Sequence, residues 1–457
     1  MHVADVFAAR AVLVAVVFAL LLIPLSMIGG IVSERAVRQL VVAQEIAASS
    51  FGRQTFAGPL LSLPYTEEYE EESREGMRKF EKRSVERVLH VFPTTGKIDG
   101  RVFVGEKHRG LFKVRTFTLD IDVQGTFVLD GKAKVERTRA GSRIVWGRPA
   151  ISFALSDPRG LAGTPTLDWA GERLPLERGT AVRGSGFASG LHAQSEPIDP
   201  TQPQSFPYRF VMRVSGTQSI AIVPLADDNR VRLASDWPHP RFAGQFLPLP
   251  ESQEVGNAGF AAQWAISALS STAQQRTLEL ADRPTSSTPI ETLEVGFIDP
   301  IDIYSLSDRA LKYGFMFIGL TFGCFIVFEI VKRLPIHPAQ YLLVGLALAT
   351  FFLLLIGLSE HIPFWMAYVI AATACVALLG FYLATVLRSV GRGVAFAAVL
   401  TALYGALYGL LVSEDSALLL GSVLVFAMLA AAMVLTRKVD WYRVGASELP
   451  APKANPA

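Results

Sequence analysis

The sequence predicts a membrane protein with one N-terminal transmembrane helix, a large extracytoplasmic all-β, sandwich-like domain, and a five-helix C-terminal transmembrane bundle. Three observations predict it. Hydrophobic residues make up 51% of the 457, and the mean hydropathy of +0.35 is more than a soluble core requires, so much of that apolar weight must face lipid. Uncharged apolar runs crowd the two ends of the chain, while Arg, Asp, Glu and Pro fill the middle. That middle is cut into short segments rich in β-branched and aromatic residues between Gly, Pro, Asn and Asp breakers, a pattern of strands.

Residues 1–10 form a short tail, and Ala11 to Ile31 follow Arg10 as the first apolar run. A helix needs roughly 20 such residues to cross the ~30 Å hydrocarbon layer, so residues 11–32 are read as the first span. The run outlasts the ~7–15 residues of a secretion signal's core, and no small-x-small cleavage site precedes ERAVRQ, which favours a retained signal anchor over a cleaved one. Over 33–50, Val37, Leu40, Val41 and Ile46 alternate with charges at helical spacing, predicting an amphipathic stalk.

Residues 51–310 carry the strand pattern: GPLLSLPY, VERVLHVFP, KIDGRVFVG, FTLDIDVQGTFVL, RIVWGRPAISFAL, YRFVMRVSG, SIAIVPL and NRVRLASDWP. Strand after strand without long helices between them indicates a sandwich. The stretch Glu67 to Lys82 mixes both charge signs and reads as a solvated loop or hairpin. Gly, Pro, Ser and Thr gather over 160–207, as long connections do.

Five further apolar runs follow, at 311–334, 341–358, 364–387, 394–412 and 417–436, before a tail at 437–457. Short polar breaks separate them, which suits an up-and-down bundle. Alternate threading puts Arg10, Lys332, Arg333, Arg388, Arg392, Arg437, Lys438 and Arg443 on one side, whereas the opposite short loops hold only Glu360, His361, Glu414 and Asp415 as charged or titratable residues. Lys and Arg beside short loops prefer the cytoplasm, so both termini are expected there and residues 33–310 outside.

Chemistry leaves few marks. The histidines lie without HxxxH or HExxH spacing, and His337 and His361 stand at opposite ends of one span, roughly 36 Å apart at 1.5 Å per residue. GSGFAS at 184–189 lacks the nucleophile-elbow spacing, and no P-loop or dinucleotide fingerprint is present. Catalytic, metal and cofactor residues are therefore all expected to be none. Nearly balanced charge, 43 Lys+Arg against 41 Asp+Glu, with no basic patch interleaved with aromatics, argues against nucleic acid as a partner. Cys324 and Cys375 both fall inside spans, where small packing residues are the simplest reading.

Three constellations stand out. Asp308, Arg309, Lys312, Glu360, His361, Glu414 and Asp415 all fall at the outer ends of spans. They form either a charge network that docks the β domain or a junction responding to envelope pH through His361, whose reference pKa is about 6.5. Glu329 lies inside the second span with Arg333 at i+4, which is either an interfacial ion pair or part of an ion or proton step. Trp237, Pro238, His239 and Pro240 make a rigid turn that either presents an aromatic to a partner or simply closes a sandwich corner.

PLSMIGGIVSERAVRQ, GRQTFAGPLLSLPY, SDWPHPRFAGQFLP, FIDPIDIYSLSDRALKYGFMFIGLTF, LPIHPAQYLLVGLAL and LSEHIPF occur in that order along nearly the whole chain, and with them the sequence resembles the CreD family. The resemblance implies a bacterial inner-membrane protein tied to cell-envelope integrity and, in some bacteria, to a carbon-source-responsive two-component system and a β-lactam response. It supplies no reaction, cofactor or catalytic residue. The expected function is non-enzymatic: the outer domain binds a periplasmic or envelope partner, and the bundle anchors or transmits. A membrane-coupled enzyme acting around Glu360 and His361 is the alternative, and a transporter the weaker one.

Overall fold

The computed structural model describes residues 3–49, 51–72, 80–110, 112–133, 135–182, 189–282, 289–297, 303–332, 337–386, 389–413 and 417–437. They fall into two compact units, Met1–Leu40 with Ile301–Ala457, and Val41–Pro300.

The first unit is helical. Its members are α1 (Val3–Ser49), which continues into the second unit, and, after a short helix α2 (Ala273–Asp282) of that unit, α3 (Ile303–Lys332), α4 (Pro338–Ser359), α5 (Phe364–Val386), α6 (Val390–Val412) and α7 (Ala417–Thr436). Six of these helices, all but α2, are long and apolar enough to cross a membrane. The first span and the stalk read from the sequence share one continuous helix, α1.

The N-terminal helix packs into the bundle core. Val17, Leu21, Leu25, Ile28 and Val32 are buried against α3 and α4, spaced so that they form one stripe along α1. Glycines let the backbones approach: a Cβ on Gly345 would lie 2.0 Å from Leu21, and one on Gly314 would lie 2.9 Å from Phe352 and 3.3 Å from Leu25. At the centre Tyr404 lies 4.6 Å from both Phe317 and Phe351, ring centre to ring centre. Lipid offers no hydrogen bonds, and two buried tyrosine hydroxyls find partners inside: Tyr368 donates to the Tyr404 carbonyl at 2.7 Å and Tyr404 to the Cys375 sulfur at 3.1 Å. Cys375 is thus a hydrogen-bond acceptor as well as a packing residue.

The second unit is built from strands. In chain order they are β1 (Gln54–Glu72), β2 (Phe80–Val91), β3 (Thr95–Arg109), β4 (Phe112–Asp130), β5 (Arg143–Trp146) and β6 (Ala150–Leu155). Next come β7 (Leu161–Trp169), β8 (Glu172–Leu174), β9 (Glu177–Arg178), β10 (Gly190–Gln194), β11 (Pro203–Thr217) and β12 (Ser219–Val223). The last are β13 (Asp228–Ser235), β14 (Pro240–Gly244), β15 (Glu254–Gly256), β16 (Gly259–Ser267) and β17 (Leu293–Phe297).

They form two sheets. One has nine strands in the order β14-β17-β12-β1-β6-β10-β9, with β2 and β5 also on β1; the other has eight, β15-β16-β13-β3-β4-β11-β7-β8. Two pairings are parallel, β1 with β12 and β3 with β13. A single apolar core lies between the sheets, and Phe210 of the eight-stranded sheet stacks on Phe153 of the other at 3.8 Å. The unit is a sandwich.

Burial pattern explains the sequence pattern. β6 (AISFAL) and β12 (SIAIV) are buried at every position, because the far face of their sheet is covered by a second apolar cluster that includes Ala273 of α2 and Val182. β11 and β13 instead alternate buried and exposed residues, because the far face of the eight-stranded sheet is uncovered.

The end of α1 belongs to this unit. Val42 and Ile46 bury against Val114, and Arg159 donates to the Ala48 carbonyl at 2.9 Å.

Candidate functional site

At the end of the bundle where α3 begins and α4 ends, the structure pairs the expected residues differently from their sequence spacing. Glu360, just past α4, keeps only 10% of its side chain exposed. It lies 3.6 Å from Arg35 of α1 and accepts a hydrogen bond from Tyr304 of α3 at 3.4 Å. Asp308 turns instead to Lys312, one helical turn on, at 2.6 Å. His361 is exposed, its Nδ1 3.2 Å from the Gly357 carbonyl, and Arg309 is half-buried. Glu414 and Asp415, together with Arg333, lie outside the described residues, as does the side chain of Glu329.

Arg35 and Tyr304 were not singled out in the sequence. The signal for Arg35 was present, since ERAVRQ leaves the first span on the side where the third ends. Ser307, close by on α3, buries a hydroxyl that has no hydrogen-bond partner among the described residues.

The WPHP turn links β13 to β14. The indole N–H of Trp237 closes it by donating to the His239 carbonyl at 2.9 Å, and the two rings meet edge to face. Trp237 packs against the sandwich core, with the Arg115 guanidinium 4.4 Å from its ring centre. Arg115 in turn pairs with Glu106 at 3.0 Å, and Glu106 with His108 at 3.0 Å. His239 is exposed.

The charged stretch beginning at Glu67 belongs to the hairpin of β1 and β2, whose tip, 73–79, lies outside the described residues. Glu67 itself is wholly buried, although a carboxylate in a mixed-charge run reads as solvated. Thr138 donates to it through both N–H and hydroxyl at 2.8 Å, the Arg139 N–H at 3.1 Å and the Ser142 hydroxyl at 2.6 Å. Burial alone would push the carboxyl up, but the hydrogen bonds from Ser142, Thr138 and Arg139 outweigh it and hold the pKa down at about 2. Glu67 thereby ties the chain around 138–142 to β1.

Three further histidines among the described residues serve structure. Ser62 and His90 lie 3.0 Å apart, the His192 ring is 2.9 Å from the Gly179 carbonyl, and His337 caps α4 by accepting from the Ala339 N–H. Among the described residues no three His, Cys, Asp or Glu gather as a metal-ligand set.

The uncovered face of the eight-stranded sheet carries ion pairs across and along its strands. Arg209 grips Asp122 at 2.7 Å and Arg213 grips Asp120 through Nη2 at 2.7 Å, both from β11 to β4. Lys97 lies 2.9 Å from Asp99 on β3. The guanidinium of Arg213 holds the Asp120 carboxyl below its ordinary range.

The chain is similar to known proteins along nearly its full length. The family described as inner membrane protein CreD matches residues 6–442. Inner membrane protein CreD of Escherichia coli (strain K12) is 34% identical over 439 residues, covering 95% of this chain and 93% of that protein. Among solved structures, a Legionella pneumophila protein described as nutrient-binding overlaps with a TM-score of 0.23 at 9% identity, over 50% of this chain and 77% of that one. An M1 zinc metallopeptidase from Deinococcus radiodurans overlaps with a TM-score of 0.21 at 10% identity, over 45% of this chain and 42% of that one. Overlaps so shallow carry nothing over to this chain. The family match and the identity with the Escherichia coli protein suffice: this chain belongs to the CreD family of inner membrane proteins.

Proposed function

We propose that the chain supports cell-envelope integrity without catalysing a reaction, its β domain binding an envelope partner on the periplasmic side and its bundle anchoring that domain. In this reading both termini lie in the cytoplasm. Basic residues at Arg10, Lys332, Arg333, Arg388, Arg392 and Arg437 fall on one side of an alternately threaded chain, which supports it.

The observation that carries the binding role is the asymmetry of the sandwich. The nine-stranded sheet is apolar on both faces and covered at its central strands β6 and β12, whereas the other displays a charged face across several strands. A domain that needed only to fold could cover both. Glu360, around which an enzymatic reading would turn, is engaged by Arg35 and Tyr304, the arrangement of a structural ion pair.

The test uses cells lacking their own family member, given either the full chain or one without residues 51–296. The full chain should restore growth under detergent and osmotic challenge, and the shortened chain, at equal abundance, should not. Rescue by the shortened chain would refute the role of the β domain. A reporter inserted near residue 200 that behaves as cytosolic would refute the orientation.

A further inference from the structure

On the uncovered face of the eight-stranded sheet, strand register sets two cross-strand rows side by side. Arg232, Asp99, Asp122 and Val211 form one; Ala234, Arg101, Asp120 and Arg213 form the next. All of these but Arg213 line a groove of about 340 Å³, within the size range of binding clefts.

Charge is unevenly satisfied within it. Each of the three carboxylates has a cation: Lys97 for Asp99, Arg209 for Asp122, Arg213 for Asp120. Arg101 and Arg232 are exposed; Arg101 stands across from Asp120, whose carboxyl it helps to hold down, and Arg232 stands across from Asp99. With five cations, Lys97, Arg101, Arg209, Arg213 and Arg232, against three carboxylates, Asp99, Asp120 and Asp122, this patch holds two more positive than negative charges, and the small side chain of Ala234 leaves the floor beside Arg101 low.

Their spacing selects a ligand. Arg232 lies beside Asp99, and Arg101 beside Ala234, so the two arginines are diagonal neighbours on adjacent strands, roughly 7–8 Å apart at the backbone. Same-face side chains of an extended peptide repeat about every 6.6 Å, twice the rise per residue. An acidic residue at every second position would set one carboxylate over each guanidinium. A lone phosphate offers one anion to two separated cations.

We infer that this groove receives an extended acidic polypeptide segment, with two same-face carboxylates meeting Arg101 and Arg232. The inference rests on the proposed partner-binding role and names its place and chemistry.

The full-length chain in nanodiscs of uncharged phosphatidylcholine is titrated with a fluorescein-labelled peptide of alternating Glu and Gly, read by anisotropy. R101Q/R232Q should weaken binding by about tenfold. The charge-matched double variant R173Q/R230Q, on the same sheet but outside the groove, should stay within about twofold. A peptide of equal composition with its acids in one block should bind more weakly. Equal losses in the two variants, no loss in either, or displacement by equimolar inorganic phosphate would each overturn the inference. Photo-crosslinking in native membranes separates its failure from that of the broader role. A partner captured by the unaltered chain and lost with R101Q/R232Q supports the groove. Equal capture by both chains overturns the groove and leaves the binding role standing; no capture by either overturns the role itself.

Discussion

Replacing Phe210 by Ala tests the face-to-face packing of the two sheets directly. Phe210 is fully buried on β11 and stacks on Phe153 at 3.8 Å with the planes 14° apart, while Phe56 lies parallel at 6.3 Å. Phe153 and Phe56 belong to β6 and β1, in the opposite sheet. Removing the ring takes away both stacked contacts and leaves a cavity that three β-strands cannot collapse to fill. Substitutions of this kind cost about 3–5 kcal/mol. At about 3 kcal/mol per molar urea for a domain of this size, the unfolding midpoint should fall by about 1–1.7 M. The assay is urea unfolding of the full-length chain in detergent, followed by tryptophan fluorescence. The control lies one residue away: Arg209 points to the exposed face, and Arg209→Ala should cost no more than about 1 kcal/mol, as surface ion pairs do. Equal shifts for the two variants would refute the alternation of β11 and, with it, the sandwich.

Four further outcomes are expected. Glu67 titrates near 2 in the folded chain against an ordinary 4.5, so its contribution to stability is fully present above about pH 4.5 and is lost as the pH falls through 2. Glu67→Gln sets an amide donor against the N–H groups of Thr138 and Arg139 and should lower the urea midpoint at pH 7, with the gap to the unaltered chain narrowing toward pH 2; a gap independent of pH would contradict this. Gly345→Val places a branched Cβ where Leu21 already lies 2.0 Å away, so a disulfide pair engineered between α1 and α4 should form more slowly in that variant, and unchanged crosslinking would argue against their contact. Gly125→Ala puts a methyl 1.9 Å from the Thr95 carbonyl oxygen, a backbone atom that cannot step aside, and should reduce the folded yield sharply; a normal thermal midpoint would count against the β3–β4 register. A double-mutant cycle of Arg35→Gln and Glu360→Gln should give a coupling of about 0.2–1 kcal/mol because Arg35 is 44% exposed, and a zero coupling would remove the ion pair.

The membrane helices were legible in the sequence because crossing hydrocarbon is a local demand: a run of about 20 apolar residues meets it by itself. The strands were legible for a similar reason, and the segments read as KIDGRVFVG, YRFVMRVSG and NRVRLASDWP lie within or across β3, β11 and β13. Even the difference between the sheets was written there, as continuous apolar runs in β6 and β12 and strict alternation in β11.

Other features needed the fold. The stripe of α1 that enters the bundle cannot be seen in a helix that is apolar all round, because lipid-facing and core-facing residues have the same chemistry. Glu67 is one acid among many in its hairpin, and only the arrival of Thr138, Arg139 and Ser142 makes its burial tolerable. The same holds for Glu360, which meets Arg35 from 325 positions away in the sequence (360 − 35), and for the groove, where β3 and β13 lie parallel despite their separation in the chain. Composition and period thus determined the long helices and the longer strands, but not α2 or the strands β7 to β10, which fall in the Gly-, Pro-, Ser- and Thr-rich stretch 160–207 read as connections. Tertiary structure decided which of their charges meet, because pairing depends on sheet order and helix rotation, and neither leaves a local trace.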